Sequence, residues 1–157
     1  MFKLSRLTDY GVVVLGKMAQ NRGEMATAPD LADTTTLPQP TVAKILKLLA
    51  REGVLTSHRG TNGGYALDRD PSQITIAEVI AALDGPVALT ACVDGVEGRC
   101  GVENLCPMRG RWDKLNSAVR GALESVTLAE IIAADAPPDF IQPSQGEEDN
   151  RATGTPG

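Results

Sequence analysis

The sequence predicts a mainly α-helical fold that carries one small β-hairpin wing and a long dimerisation helix. Three observations carry that expectation. Apolar residues recur at three- and four-residue spacing through most of the stretch from Leu7 to Leu83, the period of amphipathic helices. One interruption, Val54 to Leu67, holds two short β-prone runs around an Asn-Gly turn. Farther on, Met108, Trp112, Leu115, Val119, Ala122 and Val126 follow at spacings of four, three, four, three and four, a heptad-like seam. A chain of 157 residues, 42% of them apolar, can bury a core without a disulfide or metal scaffold, so one compact domain with appendages is the default.

Taken in order, Ser5-Arg6-Leu7-Thr8-Asp9-Tyr10 leads into Val13, Leu15, Met18 and Ala19, a first helix ending near Asn21-Arg22-Gly23. Thr27 can cap a short second helix, Ala28 to Thr34, with Pro29 in its first turn. A turn from Thr34 to Gln39 follows, and Pro40 opens a third helix that runs from Thr41 to Glu52 and stops at Gly53. With Lys44 taken as zero and about 100° per residue, Val42, Ile45, Leu46 and Leu49 point between about 100° and 200°. Lys47 and Arg51 point near 300° and 340°, so one stripe is apolar and the opposite one basic. A short helix, a tight turn and a helix with a basic face have the layout of a helix-turn-helix, with the third helix as the reading element. Alone, the same pattern fits an ordinary amphipathic surface helix.

The next segment adds to it. Val54 to Arg59 reads as a strand, Gly60-Thr61-Asn62-Gly63-Gly64 as a turn and Tyr65-Ala66-Leu67 as the returning strand, which completes a winged helix-turn-helix order. Arg59, at the hairpin tip among small residues, suits a narrow minor groove; a solvated turn cation is the plain alternative. Ile74 to Leu83 gives a fourth helix ended by Asp84-Gly85-Pro86, after which periodicity stops. The long helix resumes at Pro107, its seam suited either to a second copy or to the chain's own head, and Thr127 to Ile132 makes a short closing helix. The expected organisation is a DNA-binding head over residues 1–88, a cysteine loop over 89–106, the dimerisation and closing helices over 107–134, and a disordered Pro-, Gly- and acid-rich tail over 135–157.

Charge is unevenly distributed. The net charge is -5, yet residues 1–69 carry nine Lys/Arg against six Asp/Glu, and residues 70–157 carry six against fourteen. A basic front on an acidic rear suits double-stranded DNA as partner of the head. Aromatics are 3% of the chain, which disfavours a sugar cleft or a single-strand stacking platform. No apolar run near the start exceeds Val12 to Leu15 and nothing there resembles a signal peptide, so a soluble cytoplasmic protein without a membrane partner is expected. The Gly60–Gly64 turn joins two strands and lacks the Lys-Ser/Thr ending of a phosphate loop, and neither a Ser-His-acid set nor a carboxylate pair stands out. An enzyme is not expected.

Cys92, Cys100 and Cys106 are the only cysteines and fall within fifteen residues. Random placement would cluster them so on the order of 3% of the time, so the grouping needs a cause. The spacing, Cys-x7-Cys-x5-Cys, lacks both the close pair of a structural zinc site and a Cys-x-x-Cys redox motif. Three soft thiolates on one Gly-rich loop favour an iron-sulfur cluster, one ligand short and therefore labile. Zinc, and reactive or incidental cysteines, remain the alternatives, which would make this a zinc-stabilised or redox-active cysteine protein using its winged helix for protein contacts. His58, the only histidine, sits in the hairpin and reads as a wing residue.

From about Leu4 to Ile132 the chain resembles the Rrf2-type winged-helix regulators, the family that includes IscR and NsrR. The resemblance rests on Leu4 to Tyr10, the wing Arg59 to Leu67, the Ile76-Ala77-Glu78-Val79-Ile80 helix, the three-cysteine loop and Val126-Thr127-Leu128-Ala129-Glu130. Pro40 to Arg51, Leu83-Asp84-Gly85-Pro86 and Arg109-Gly110-Arg111-Trp112 are most similar to the branch that regulates the SUF iron-sulfur assembly system. The resemblance implies a homodimeric transcription regulator whose operator has two half-sites. It implies an iron-sulfur cluster, 2Fe-2S ahead of 4Fe-4S, on Cys92, Cys100 and Cys106. It implies DNA contacts from the helix beginning at Pro40, with Thr41, Lys44, Lys47 and Arg51, and from the wing, with Arg59 and Asn62. IscR carries a His three residues beyond its last Cys where this chain carries Arg109. Asp9 matches an aspartate that ligates the cluster from the partner subunit in an NsrR-like relative, and so stands as the candidate fourth ligand; a surface or capping residue of the first helix is the alternative.

Overall fold

The computed structural model describes residues 3–89 and 110–133. Cys92, Cys100 and Cys106, the predicted first residues of the long helix at Pro107 and Met108, and the tail expected over 135–157 lie outside the described residues.

Four of the six described α-helices begin where a side chain takes a free N-H group of the first turn. In α1 (Arg6–Gln20) that residue is Ser5, whose Oγ accepts the Thr8 N-H at 3.1 Å. Reciprocal capping boxes open α2 (Ala28–Thr35), between Thr27 and Asp30, and α4 (Ile76–Asp84), between Thr75 and Glu78. No side chain caps α3 (Gln39–Arg51); Pro40 instead removes an N-H from its first turn. Beyond its C-terminus Gly53, at φ 76°, takes the left-handed conformation that turns the chain away.

The apolar faces of these helices meet in one core. Val14, Leu15 and Met18 of α1, Leu31 of α2, Val42, Ile45, Leu46 and Leu49 of α3, and Val79 and Leu83 of α4 are all buried in it. Gly11 lets α1 lie close to α4: a Cβ there would collide with the Leu83 side chain. The wing is a two-stranded antiparallel hairpin, β1 (Thr56–His58) and β2 (Gly64–Ala66), with Thr56 opposite Ala66 and His58 opposite Gly64.

Several boundaries differ from those the sequence predicts. The first strand starts at Thr56 rather than Val54, because the Val54 and Leu55 N-H groups both donate to Leu49 O at the end of α3 and their side chains enter the core. The fourth helix starts at Ile76 rather than Ile74. Here Thr75 pairs with Thr127 in an antiparallel bridge, Leu128 N-H donates to Ile74 O at 2.8 Å, and Ile76 N-H donates to Val126 O at 2.9 Å. A single 3-10 turn, Pro71–Gln73, precedes this bridge.

The largest difference concerns the long helix. α5 spans Asp113–Glu124 and does not reach back continuously to Pro107, because Gly110 has φ 73° and residues 110–112 form a turn. A left-handed residue cannot sit inside a right-handed helix. Val126 lies beyond the helix end, in the bridge just described, so the seam within α5 is Leu115, Val119 and Ala122 with Trp112 at its cap. The closing helix α6 (Leu128–Ile132), opened by a Thr127–Glu130 capping box, returns to the head, where Leu128 is fully buried.

Candidate nucleic-acid interface and cysteine segment

With Val42, Ile45, Leu46 and Leu49 turned inward, α3 presents Pro40, Ala43, Lys44, Lys47 and Arg51 as one exposed strip. Thr41 lies at its edge, half-buried. Lys44 and Lys47 have no carboxylate partner among the described residues, whereas Arg51 Nε is 2.9 Å from Glu52 Oε1. Both partners of that pair are exposed, so it costs little to break when another anion approaches. In front of α3, α2 ends on Thr36 at φ 59°, a conformation that β-branched residues rarely adopt.

The wing is held against this unit by backbone bonds rather than by its own short ladder. Ala26, just before the cap of α2, exchanges both hydrogen bonds with Tyr65 of β2, Ala26 N-H to Tyr65 O at 2.8 Å and Tyr65 N-H to Ala26 O at 2.9 Å. Behind it, Gly23 N-H donates to Leu67 O, and the Arg22 guanidinium reaches Asp70 Oδ2 at 2.9 Å and Asp68 O at 3.3 Å. The Ser72 hydroxyl and N-H, with Arg22 behind them, hold the Asp70 carboxyl below the ordinary carboxylate value. The hairpin tip closes through Gly63 N-H to Gly60 O at 3.0 Å and leaves Arg59 and Asn62 exposed. The exposed cations of α3 and of the hairpin tip are of the type that meets phosphate oxygens in a duplex.

A family model described as Rrf2, iron-dependent transcriptional regulator, matches residues 4–134. The chain belongs to the Rrf2 family of transcriptional regulators. NsrR of Bacillus licheniformis is 31% identical over 131 residues, which cover 83% of this chain and 92% of that protein. IscR of an Enterobacter species is 28% identical over 152 residues, 94% of this chain and 92% of the relative. Among solved structures, that of CymR, the global cysteine regulator of B. subtilis, superposes with a TM-score of 0.61 at 26% identity, over 85% of this chain and 98% of the other. The winged-helix architecture and the regulator class follow, and regulators of this family bind DNA. These relatives are named as regulators of transcription, not as enzymes.

In this Rrf2 regulator Asp9 is an exposed residue in the first turn of α1. It lines an open groove of about 960 Å³ with Lys3, Leu4, Arg6, Val12 and Ile131. No described residue of α3 or of the hairpin lines that groove. Among the described residues no three His, Cys, Asp or Glu side chains converge as a metal site. Cys92, Cys100 and Cys106 lie outside those residues; their soft thiolates fit an iron-sulfur cluster by donor chemistry. Again among the described residues, no helix is long and apolar enough to cross a membrane.

Two polar side chains that the sequence reading passed over serve the segment leading into the cysteines. Thr8 and Asn116 are the buried polar residues of the described structure, 1% and 5% exposed. Asp84 at the end of α4 accepts from Thr8 Oγ1 and Ser5 Oγ, each at 2.6 Å, and Asn116 Oδ1 accepts the Leu89 N-H at 3.0 Å. Neither residue type adds helix stability, and no local pattern marks either as buried.

Proposed function

We propose that this protein is a homodimeric, cytoplasmic transcription regulator whose affinity for DNA depends on an iron-sulfur cluster, and that it controls iron-sulfur assembly genes of the SUF type. The observation that carries the reading is the combination of the exposed cationic strip of α3 with three clustered cysteines, in a family described as iron-dependent. Cys92, Cys100 and Cys106 would hold the cluster, with Asp9 as the fourth ligand. When bound, the cluster supplies a labile centre that oxidants or nitric oxide can dismantle. Thr41 and Lys44 on the first turns of α3 read base edges in the major groove, Lys47 and Arg51 engage phosphates, and Arg59 with Asn62 enters the minor groove. Two copies place two such heads on two half-sites. A ligand shifts DNA affinity only by favouring one arrangement of the heads, so the loop must differ in its fit to the two arrangements.

The three clustered cysteines also support a second reading, in which the thiols act without iron, as a zinc site or a redox-reactive set, and the winged helix serves protein contacts. The visible spectrum, iron and acid-labile sulfide of anaerobically purified protein separate the two. Coloured protein that bleaches when any one of Cys92, Cys100 or Cys106 becomes Ala supports the cluster. Colourless protein with stoichiometric zinc overturns it.

A further inference from the structure

We propose that Thr36, in the turn between α2 and α3, is a DNA-backbone contact whose hydroxyl donates to a phosphate oxygen, an inference that rests on the reading of α3 as the helix that enters the major groove. Among the described residues Thr36 is the only one other than glycine with a positive φ, 59° with ψ 19°. The turn explains that conformation. α2 has to stop there, because the next residue, Leu37, packs half-buried against the core and α3 begins at Gln39. The turn does not explain the residue. Glycine enters the left-handed region without steric cost, as Gly53 does after α3 at φ 76°, whereas a β-branched side chain is strained in it.

Nothing among the described residues offsets that strain. Thr36 is exposed, so its methyl group gains little burial. The two threonines before it show what such a side chain can do within the fold. The Thr34 hydroxyl donates to Asp30 O at 2.9 Å and the Thr35 hydroxyl to Leu31 O, so both are engaged with carbonyls of their own helix. The Thr36 hydroxyl has no partner of that kind among the described residues. A strained backbone position that carries an exposed, unengaged hydroxyl points outward, to something the side chain meets in a complex.

Its place in the chain says what that is. Thr36 lies four residues before Pro40, where the exposed strip of α3 starts, and a chain spans at most about 3.3–3.6 Å per residue, so the two are within about 14 Å. The major groove is about 12 Å wide. With the first turns of α3 in the groove, the turn before them reaches the groove wall, where the phosphates run. Pro38, at φ -59°, and Pro40 flank Gln39 and restrict the connection, so the hydroxyl keeps its position relative to α3. A contact of this kind fixes how the helix sits on the duplex and carries no sequence information of its own. Loss of the hydroxyl should therefore weaken binding to any duplex, while relief of the strain should stabilise the free protein.

The test compares wild type, Thr36→Gly, Thr36→Val and Thr36→Ser as full chains purified anaerobically, with Lys47→Ala alongside. Glycine removes both the strain and the hydroxyl, valine keeps the shape and the strain without the hydroxyl, and serine keeps the hydroxyl. Thermal midpoints of the DNA-free proteins are read by circular dichroism, and binding by fluorescence anisotropy with a labelled duplex of mixed sequence. Thr36→Gly should melt about 2–4 °C above wild type and Thr36→Val close to it. Both should bind the duplex about three- to ten-fold more weakly for each head engaged, the factor expected for one lost hydrogen bond, and Thr36→Ser should retain most of the affinity. Equal binding by wild type, Thr36→Gly and Thr36→Val, with Lys47→Ala weakened, would overturn the proposal and leave the reading of α3 standing. Weaker binding by Thr36→Gly alone would overturn it too, since the effect would then belong to the backbone of the turn and not to the hydroxyl. So would a Thr36→Gly protein that melts no higher than wild type, because threonine would then carry no strain for DNA binding to offset. If Lys47→Ala also binds as wild type does, the reading of α3 fails and the proposal fails with it.

Discussion

α3 and α5 are both amphipathic and nearly the same length, yet they end in opposite situations. Val42, Ile45, Leu46 and Leu49 of α3 are 0% exposed, sealed against α1, α2 and α4, and only the cationic strip reaches solvent. On α5 the pattern is reversed: Asn116 is buried while Trp112 and Leu115 are 38% and 48% exposed. Periodicity states that a helix has an apolar face and leaves open what covers it. In α3 the chain itself covers that face, so the helix is a rigid platform. On α5 the described residues leave Trp112 and Leu115 exposed, and the proposed dimer would cover that side with a second copy.

The largest effect that separates the two helices is on stability. Leu46→Ala should cost about 2–5 kcal/mol by leaving a cavity in a sealed core. Leu115→Ala should change the stability of an unpaired chain by no more than about 0.5 kcal/mol. Urea denaturation at low protein concentration measures both, and similar losses would erase the distinction. The oligomeric state follows. Leu115→Glu with Val119→Glu should give a folded monomer, while sedimentation of wild type at micromolar concentration should show a dimer; a monomeric wild type, with and without cluster, would remove the second copy from the account.

On DNA the comparison can be sharpened within α3 itself. Lys47→Ala should weaken binding to operator and scrambled duplexes alike and lower the salt slope by about one ion-equivalent per subunit. Lys44→Ala and Arg59→Ala should cost about 1–3 kcal/mol chiefly on the operator. Titrations at two salt concentrations decide; equal losses on both duplexes for Lys44→Ala and Arg59→Ala would confine these residues to phosphate neutralisation.

The smallest expected effect is on acid stability. Burial of Glu78 pushes its carboxyl up, but the Arg69 guanidinium at 2.9 Å and the Thr75 N-H outweigh this and hold it below its ordinary value of 4.5. A carboxyl lower in the folded than in the unfolded state stabilises fully above the unfolded value and loses that contribution as pH falls through the folded one. Glu78→Gln should therefore lower the thermal midpoint near pH 7 slightly and flatten its decline below about pH 4.5. A parallel decline in both proteins would show that the Arg69–Glu78 pair contributes nothing.

Local chemistry in this chain was readable from its residues, and long-range pairing was not. The faces of α3 and the Thr27 cap depend on neighbours within one turn, and both stand where periodicity and capping put them. The start of α4 was displaced because Ile74 to Ile76 pairs with Val126 to Leu128, some fifty residues away, which no local pattern records. The start of α5 was displaced because Gly110 breaks a seam that looks continuous in side-chain spacing alone. Of the candidate site, the cations of α3 and the wing could be located by pattern. The Asn116–Leu89 and Asp84–Thr8 contacts could not, since each joins residues whose proximity only the folded core creates.

The central claim is that the cysteine segment governs the cationic face of α3. Its most direct test is anaerobic titration of one operator duplex with the same dimeric preparation before and after iron removal, alongside Cys100→Ala. Removing the cluster should change operator affinity about 5- to 150-fold, the usual range of coupling between two sites. Cys100→Ala should match the iron-free protein under both conditions. Identical affinities for the loaded and iron-free proteins, with the dimer intact in both, would contradict the account.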